Sequence, residues 1–145
     1  MIKIICLGKI KEKYLTELIN DYKNRISKYH KIEIIEIKED KTIEIEANTI
    51  CKYIDSKDYI IACCIEGIQL NSIELAQKLD KCLINHSNIT FIIGSSLGLS
   101  NKIKELSNLK LSFSKFTMPH GLFRGVLLEQ IYRTCKINNN ESYHK

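Results

Sequence analysis

Two histidines late in the chain, His120 directly after the lone proline Pro119 and His144 next to the C-terminal Lys145, are the side chains best suited to moving a proton near neutral pH. Tyr143 stands beside His144, and Arg124 and Arg133 are two of only three arginines. Guanidinium groups are suited to phosphates and carbonyl oxygens. Most of these residues fall in one stretch, Leu111 to Ile137, LSFSKFTMPHGLFRGVLLEQIYRTCKI. It reads as a short strand, a stiff polar loop and an amphipathic helix. That order sets backbone amides and side chains around a ligand at a strand's carboxyl end.

A second candidate is the turn Gly94-Ser95-Ser96-Leu97-Gly98, which matches G-x-S-x-G after an apolar run. As a nucleophile elbow it makes Ser96 the nucleophile of a serine hydrolase, with His120 or His144 as base. The usual scaffold for that chemistry is much larger than 145 residues, and the same turn suits a phosphate or nucleoside loop. Neither a P-loop nor a dinucleotide fingerprint is present. The six cysteines form no CxxC pair and no Cys/His ligand spacing. They read as reduced, buried thiols, with no metal site and no disulfide framework.

Composition limits the partners. A chain of this length builds one domain, residues 1–145, with a core that needs no staple. Hydrophobic residues make up 44% and charged residues 27%, and no apolar run is long enough for a membrane span. The N-terminus reads as a first strand and not as a signal peptide, so the cytoplasm is the expected compartment. The formal net charge is +5, and residues 97–145 carry all of it, with eight Lys/Arg against three Asp/Glu. A solvated lysine-rich surface would account for this excess. So would a polyanion partner, with RNA the leading candidate.

The elements that must position these residues follow from periodicity. Apolar runs at Met1–Leu7, Ile32–Ile37, Tyr59–Ile65, Ile89–Ile93 and Leu109–Phe113 predict strands. Between them, Glu12–Ser27, the stretch around Ala47–Ile54, a helix opened by Asn71 with Glu74, and Ser100–Ser107 predict helices, and Gly121–Lys136 predicts the last one. The acid-rich segment Glu33–Glu46 reads as a strand edge running into an exposed connector, and Glu66-Gly67 as the close of the third strand. Glycines gather at the strand exits. Gly125 is the exception and, with Gly121 on the same helical face, would admit a close neighbour. Alternating strands and helices predict an α/β domain, a mainly parallel sheet with helices on both faces.

The motifs LSFSKFTMPH, Arg124, LLEQIYR and the terminal SYHK, with the opening IKIICLGKIKEKY, closely resemble the ribosomal RNA large subunit methyltransferase H family. The resemblance spans nearly the whole chain. It implies a SPOUT-type fold with a C-terminal trefoil knot, and methyl transfer from S-adenosylmethionine to N3 of a pseudouridine in 23S rRNA. It implies a homodimer acting on ribosomes. The implied cofactor positions are Cys63, Gly94 and Phe113, Ser114, Lys115, Phe116, Thr117 and Met118. The implied catalytic positions are His144, with Tyr143 orienting it, His120 as the alternate, and Arg124. Arg124, Arg133 and Lys145 would hold RNA. Cys63 stands where the family has leucine, and Ser95 where it has a second glycine. A non-catalytic ribosome-binding factor is the remaining alternative.

Overall fold

Isoleucine-rich runs with side chains alternating between two covered faces form the centre of the molecule. In the computed structural model, which describes all 145 residues, the elements are β1 (Ile2–Leu7), α1 (Lys13–Ile26), β2 (Ile32–Ile37), α2 (Ile43–Cys51), β3 (Asp58–Gln69), α3 (Ser72–Asn85), β4 (Asn88–Ile93), α4 (Asn101–Leu106), β5 (Leu109–Ser112) and α5 (His120–Asn138). The strands form one sheet in the order β2-β1-β4-β3-β5, every pair parallel. In β1, Ile2, Ile4 and Cys6 face a core shared with α1, α3 and α5, while Ile5 and Leu7 face a smaller core with α2 and α4. The two-residue period of the strand thus feeds both layers. No helix is long and apolar enough to cross a membrane.

Local signals set most boundaries. Asn71 caps α3 through Glu74 N–H, and Glu74 returns a bond to Asn71 N–H, a complete capping box. Gly121 and Gly125 admit a close neighbour, as expected, and that neighbour is α1. A Cβ at either would lie 2.7 Å from Leu15 or Leu18.

Two expectations are corrected. The acidic segment is not an exposed connector throughout. Thr42 caps α2 by accepting from Ile45 N–H, and Glu44 and Glu46 sit in its first turn, where carboxylates favour the helix dipole. Nor does β3 end at Glu66-Gly67, because β5 pairs with it twice. Cys63 lies opposite Leu111, and after a register shift Ile68 lies opposite Leu111 again. Gly67 sits in that shift, and a Cβ there would come within 2.7 Å of the Lys110 and Leu111 backbone. Gly67→Ala is therefore expected to destabilise the protein by about 2 kcal/mol or more. Thermal melting checks this, with the exposed Ile84→Ala as a near-neutral control.

Candidate functional site

The carboxyl ends of β3, β4 and β5 open onto a cavity of about 530 Å³, a volume suited to a small organic ligand. One wall is Cys63 to Glu66, a second is Gly94 to Leu99 without Leu97, and the third is the segment after β5 with His120 and Phe123 from α5. The β4 loop is tight. Gly98 N–H bonds Ser95 C=O at 2.9 Å, and Gly98 takes φ +79°, which glycine adopts without strain. Gly94 packs on the Gly98 backbone, where a Cβ would stand at 2.7 Å. Ser95 has no positive φ, and its buried side chain turns towards α2. The third wall is built locally. Ser112 Oγ donates to Ser114 C=O, Phe116 N–H donates to Ser114 Oγ, and Phe113 meets Phe123 edge-on at 5.1 Å.

The cavity is mainly apolar, with one ion pair on its wall. Lys104 contacts the Glu66 carboxylate and, through that hydrogen bond, holds its pKa below the ordinary carboxylate value. The Cys63 thiol is enclosed although the residue keeps some open surface. Burial pushes its pKa far up, so it stays protonated and acts as a packing group. Neither histidine hydrogen-bonds Ser96; His144 meets Arg133, and His120 shares the cavity lining with Ser96. No cluster of three or more His, Cys, Asp or Glu gathers anywhere.

The tail turns back along the second half of α5, outside the cavity. Tyr143 packs edge-on against Tyr132 at 4.9 Å, donates to Glu129 at 3.1 Å and lies under the Arg133 guanidinium. Its phenol pKa is pushed up, by burial first and by the Tyr22 and Glu129 hydrogen bonds next. His144 Nδ1 is 3.3 Å from Arg133 Nη1. Glu141 accepts from Lys136 and Tyr29, which pins the chain after the positive φ of Asn140. His144 meets Arg133, ten residues along α5 from the cavity-lining Phe123, which at about 1.5 Å per residue is about 15 Å.

Comparison with known proteins adds the family. A profile described as "Predicted SPOUT methyltransferase" matches residues 1–144. The chain belongs to the SPOUT methyltransferase family. It is 48% identical to a putative ribosomal RNA large subunit methyltransferase H of Methanococcus maripaludis, over 99% of both chains. It is also 48% identical to the ribosomal RNA large subunit methyltransferase H of Caldicellulosiruptor bescii, over the full length of both. Among solved structures, the SpoU methyltransferase AviRb of Streptomyces viridochromogenes aligns with a TM-score of 0.52 at 9% identity. That alignment covers 98% of this chain and 62% of that one, and it speaks for the fold alone.

Within this SPOUT fold the expected residues divide into two groups. Cys63, Gly94, Phe113, Ser114, Phe116, Thr117, Met118 and His120 line the cavity, whereas Lys115 does not. Tyr143, His144, Arg133 and Lys145 lie outside it. Arg124 stands apart. It is 3% exposed, pairs with Glu36 at 2.7 Å and donates to Gly8 C=O at 3.1 Å, so in this structure it braces the sheet edge. Arg133 is committed to Glu129 through Nε and Nη2, leaving Nη1 towards His144. Sequence reading missed Glu66, Lys104 and Phe123. Glu66 directly follows the Tyr59–Ile65 run, a signal available in principle. Lys104 and Phe123 sit at helical positions that no spacing distinguishes from surface and core.

Proposed function

We propose that this chain is a cytoplasmic homodimeric methyltransferase that uses S-adenosylmethionine to methylate N3 of a pseudouridine in 23S rRNA, on assembled ribosomes. The observation that carries the reading is the convergence of three strand-exit segments, at Cys63, Gly94 and Phe113 to Met118, on one cavity in a SPOUT chain. The residues present fit such a donor. Apolar side chains, among them Ile93, Leu99, Phe113 and Phe123, offer a surface for a flat base, and Glu66 with Lys104 offers both charges to a zwitterionic amino-acid end. The names of the full-length relatives point to large-subunit RNA, and the basic C-terminal third suits it. The same reading includes a trefoil knot where the chain passes from β5 to α5.

When bound there, S-adenosylmethionine supplies an electrophilic methyl group. The protein's part is to align, exclude water and remove a proton. Phe113, Phe123 and Met118 wall the donor off from solvent. His144 takes the N3 proton, directly or through water, and Tyr143, which remains a phenol, orients it; His120 on the cavity wall is the alternate base. Because His144 meets Arg133, about 15 Å along α5 from the lining of its own chain's cavity, His144 serves the cavity of a second copy. Arg133 and Lys145 travel with it and meet the RNA backbone. With its positive charge gathered in residues 97–145, the protein recognises the shape of an assembled particle more than a long sequence.

Mass spectrometry of 23S rRNA fragments from cells with and without the protein tests this. The expected result is loss of one methyl group from a pseudouridine, and an unchanged fragment would overturn the assignment. Calorimetry with S-adenosylmethionine separates the alternatives, since a ribosome-binding factor would bind ribosomes but not the donor.

A further inference from the structure

We infer that Glu46, which does not line the cavity, positions the β4 loop through Ser95 and thereby sets how tightly the cavity holds its donor. The inference rests on the donor reading above. Glu46 is 2% exposed. Its Oε2 accepts from Ser95 Oγ at 2.8 Å, and its Oε1 accepts from Asp40 N–H at 3.0 Å. Ser95 Oγ accepts in turn from Leu97 N–H at 3.2 Å. One carboxylate thus ties the segment before α2, α2 itself and the Gly94–Leu99 loop together.

Stability does not explain this carboxylate. Taking a charged carboxyl group out of water costs several kcal/mol, and a well-packed apolar side chain avoids that cost. No basic side chain forms an ion pair with Glu46. What the group supplies is direction. Ser96, Leu97 and Gly98 are exposed, so packing alone holds the loop's tip weakly. With its hydroxyl drawn to Glu46 and its carbonyl bonded to Gly98 N–H, Ser95 is held at both ends. The orientation of the loop's peptide groups at the cavity wall follows from those two anchors. A loop fixed before the ligand arrives loses less conformational freedom on binding, and that difference appears as affinity.

The test compares wild type, Ser95→Ala, Glu46→Ala and Glu46→Gln by calorimetry with S-adenosylmethionine, by steady-state kinetics, and by amide exchange of the ligand-free protein. Losing a hydrogen bond to a charged group is expected to weaken donor binding about tenfold in Ser95→Ala. In Glu46→Ala, whose side chain does not line the cavity, the donor KM rises similarly, while kcat at saturating donor stays within about twofold, as expected when ground-state and transition-state binding fall together. Glu46→Gln keeps the acceptor for Asp40 N–H and can donate to Ser95 Oγ, so it loses less than Glu46→Ala. The double variant Glu46→Ala/Ser95→Ala loses no more than the worse single change, because the two residues act through one contact. Leu97 and Gly98 amides exchange faster in Ser95→Ala. Unchanged donor affinity together with unchanged Leu97 protection in Ser95→Ala would overturn the inference. If wild type itself failed to bind the donor, the donor reading would fall, and amide exchange would still decide whether Glu46 holds the loop.

Discussion

Deleting residues 141–145 is expected to lower methyl transfer to ribosomes by about 10²- to 10⁴-fold, the range for loss of a general base, while the protein stays folded. The deleted segment contributes the half-buried Tyr143, which packs on Tyr132, hydrogen-bonds Glu129 and lies under Arg133, and an exposed carboxylate, Glu141, held by Lys136 and Tyr29. Its loss should lower Tm only slightly. The cavity lining contains no residue beyond Phe123, so donor binding by each protomer should survive unless the tail also closes the partner's cavity. His144→Ala should reproduce most of the loss. The decisive arrangement is a mixture of two inactive chains, one carrying His144→Ala and the other Gly94→Val, whose added carbons would meet the Gly98 backbone. If the tail serves a second copy, random pairing should restore roughly a quarter of wild-type activity, since half the dimers then hold one intact site. No recovery, with dimers demonstrably exchanged, would mean that the tail acts on its own cavity or not at all.

The second large effect lies at the opposite edge of the sheet and concerns stability. Asp58 has a fully buried carboxylate that pairs with Lys3 at 2.9 Å and accepts from Asn88, Thr90 and the Asp55 N–H. Asp58→Ala would leave the Lys3 ammonium, only 9% exposed, with the Tyr53 carbonyl alone, and would strand three further donors. Removing one partner of a buried pair costs about 3–5 kcal/mol, a large share of a total stability of about 5–15 kcal/mol. Chemical denaturation at pH 7 measures it. Burial by itself would raise this carboxyl's pKa, but the hydrogen bonds from Asn88, Lys3, Asp55 and Thr90 outweigh it and the value is lowered. A folded pKa below the unfolded one gives stability that is present above about pH 4 and is lost as pH falls through the folded value. Wild type should therefore lose stability more steeply than Asp58→Asn between about pH 4 and pH 2. Parallel curves in that range would show that other carboxylates dominate.

The cavity-lining segments were legible because turns at strand exits leave local marks. Gly94 and Gly98 bracket a turn after ITFII, and Phe113 to Met118 leads from the strand LKLS to the helix opened by Pro119. The ion pair of Arg124 was not legible for a physical reason. An arginine on an amphipathic helix near a glycine-rich loop has the chemistry of a phosphate ligand, but its partner Glu36 lies 88 residues earlier, and only β2's place beside β1 brings the two together. Glu46 was read as a solvated acid because its neighbours are acidic and polar. Its burial depends on Ser95, which is 49 residues away. The placement of the tail was not legible from its sequence. It packs on α1 and α5, because Tyr22, Tyr29 and Tyr132 there offer an aromatic surface with cations beside it.

By itself the sequence determined the alternating strands and helices, the parallel sheet, most of the cavity's lining segments and the family. Those depend on periodicity, on turn chemistry and on motifs contiguous in the chain. Only the tertiary structure decided which charged groups are free and which are spent on the fold. It also set His144 on Arg133, outside the cavity. Pairings such as Arg124 with Glu36, or Glu46 with Ser95, join residues far apart in the chain, and no local pattern encodes which buried charge will find which partner.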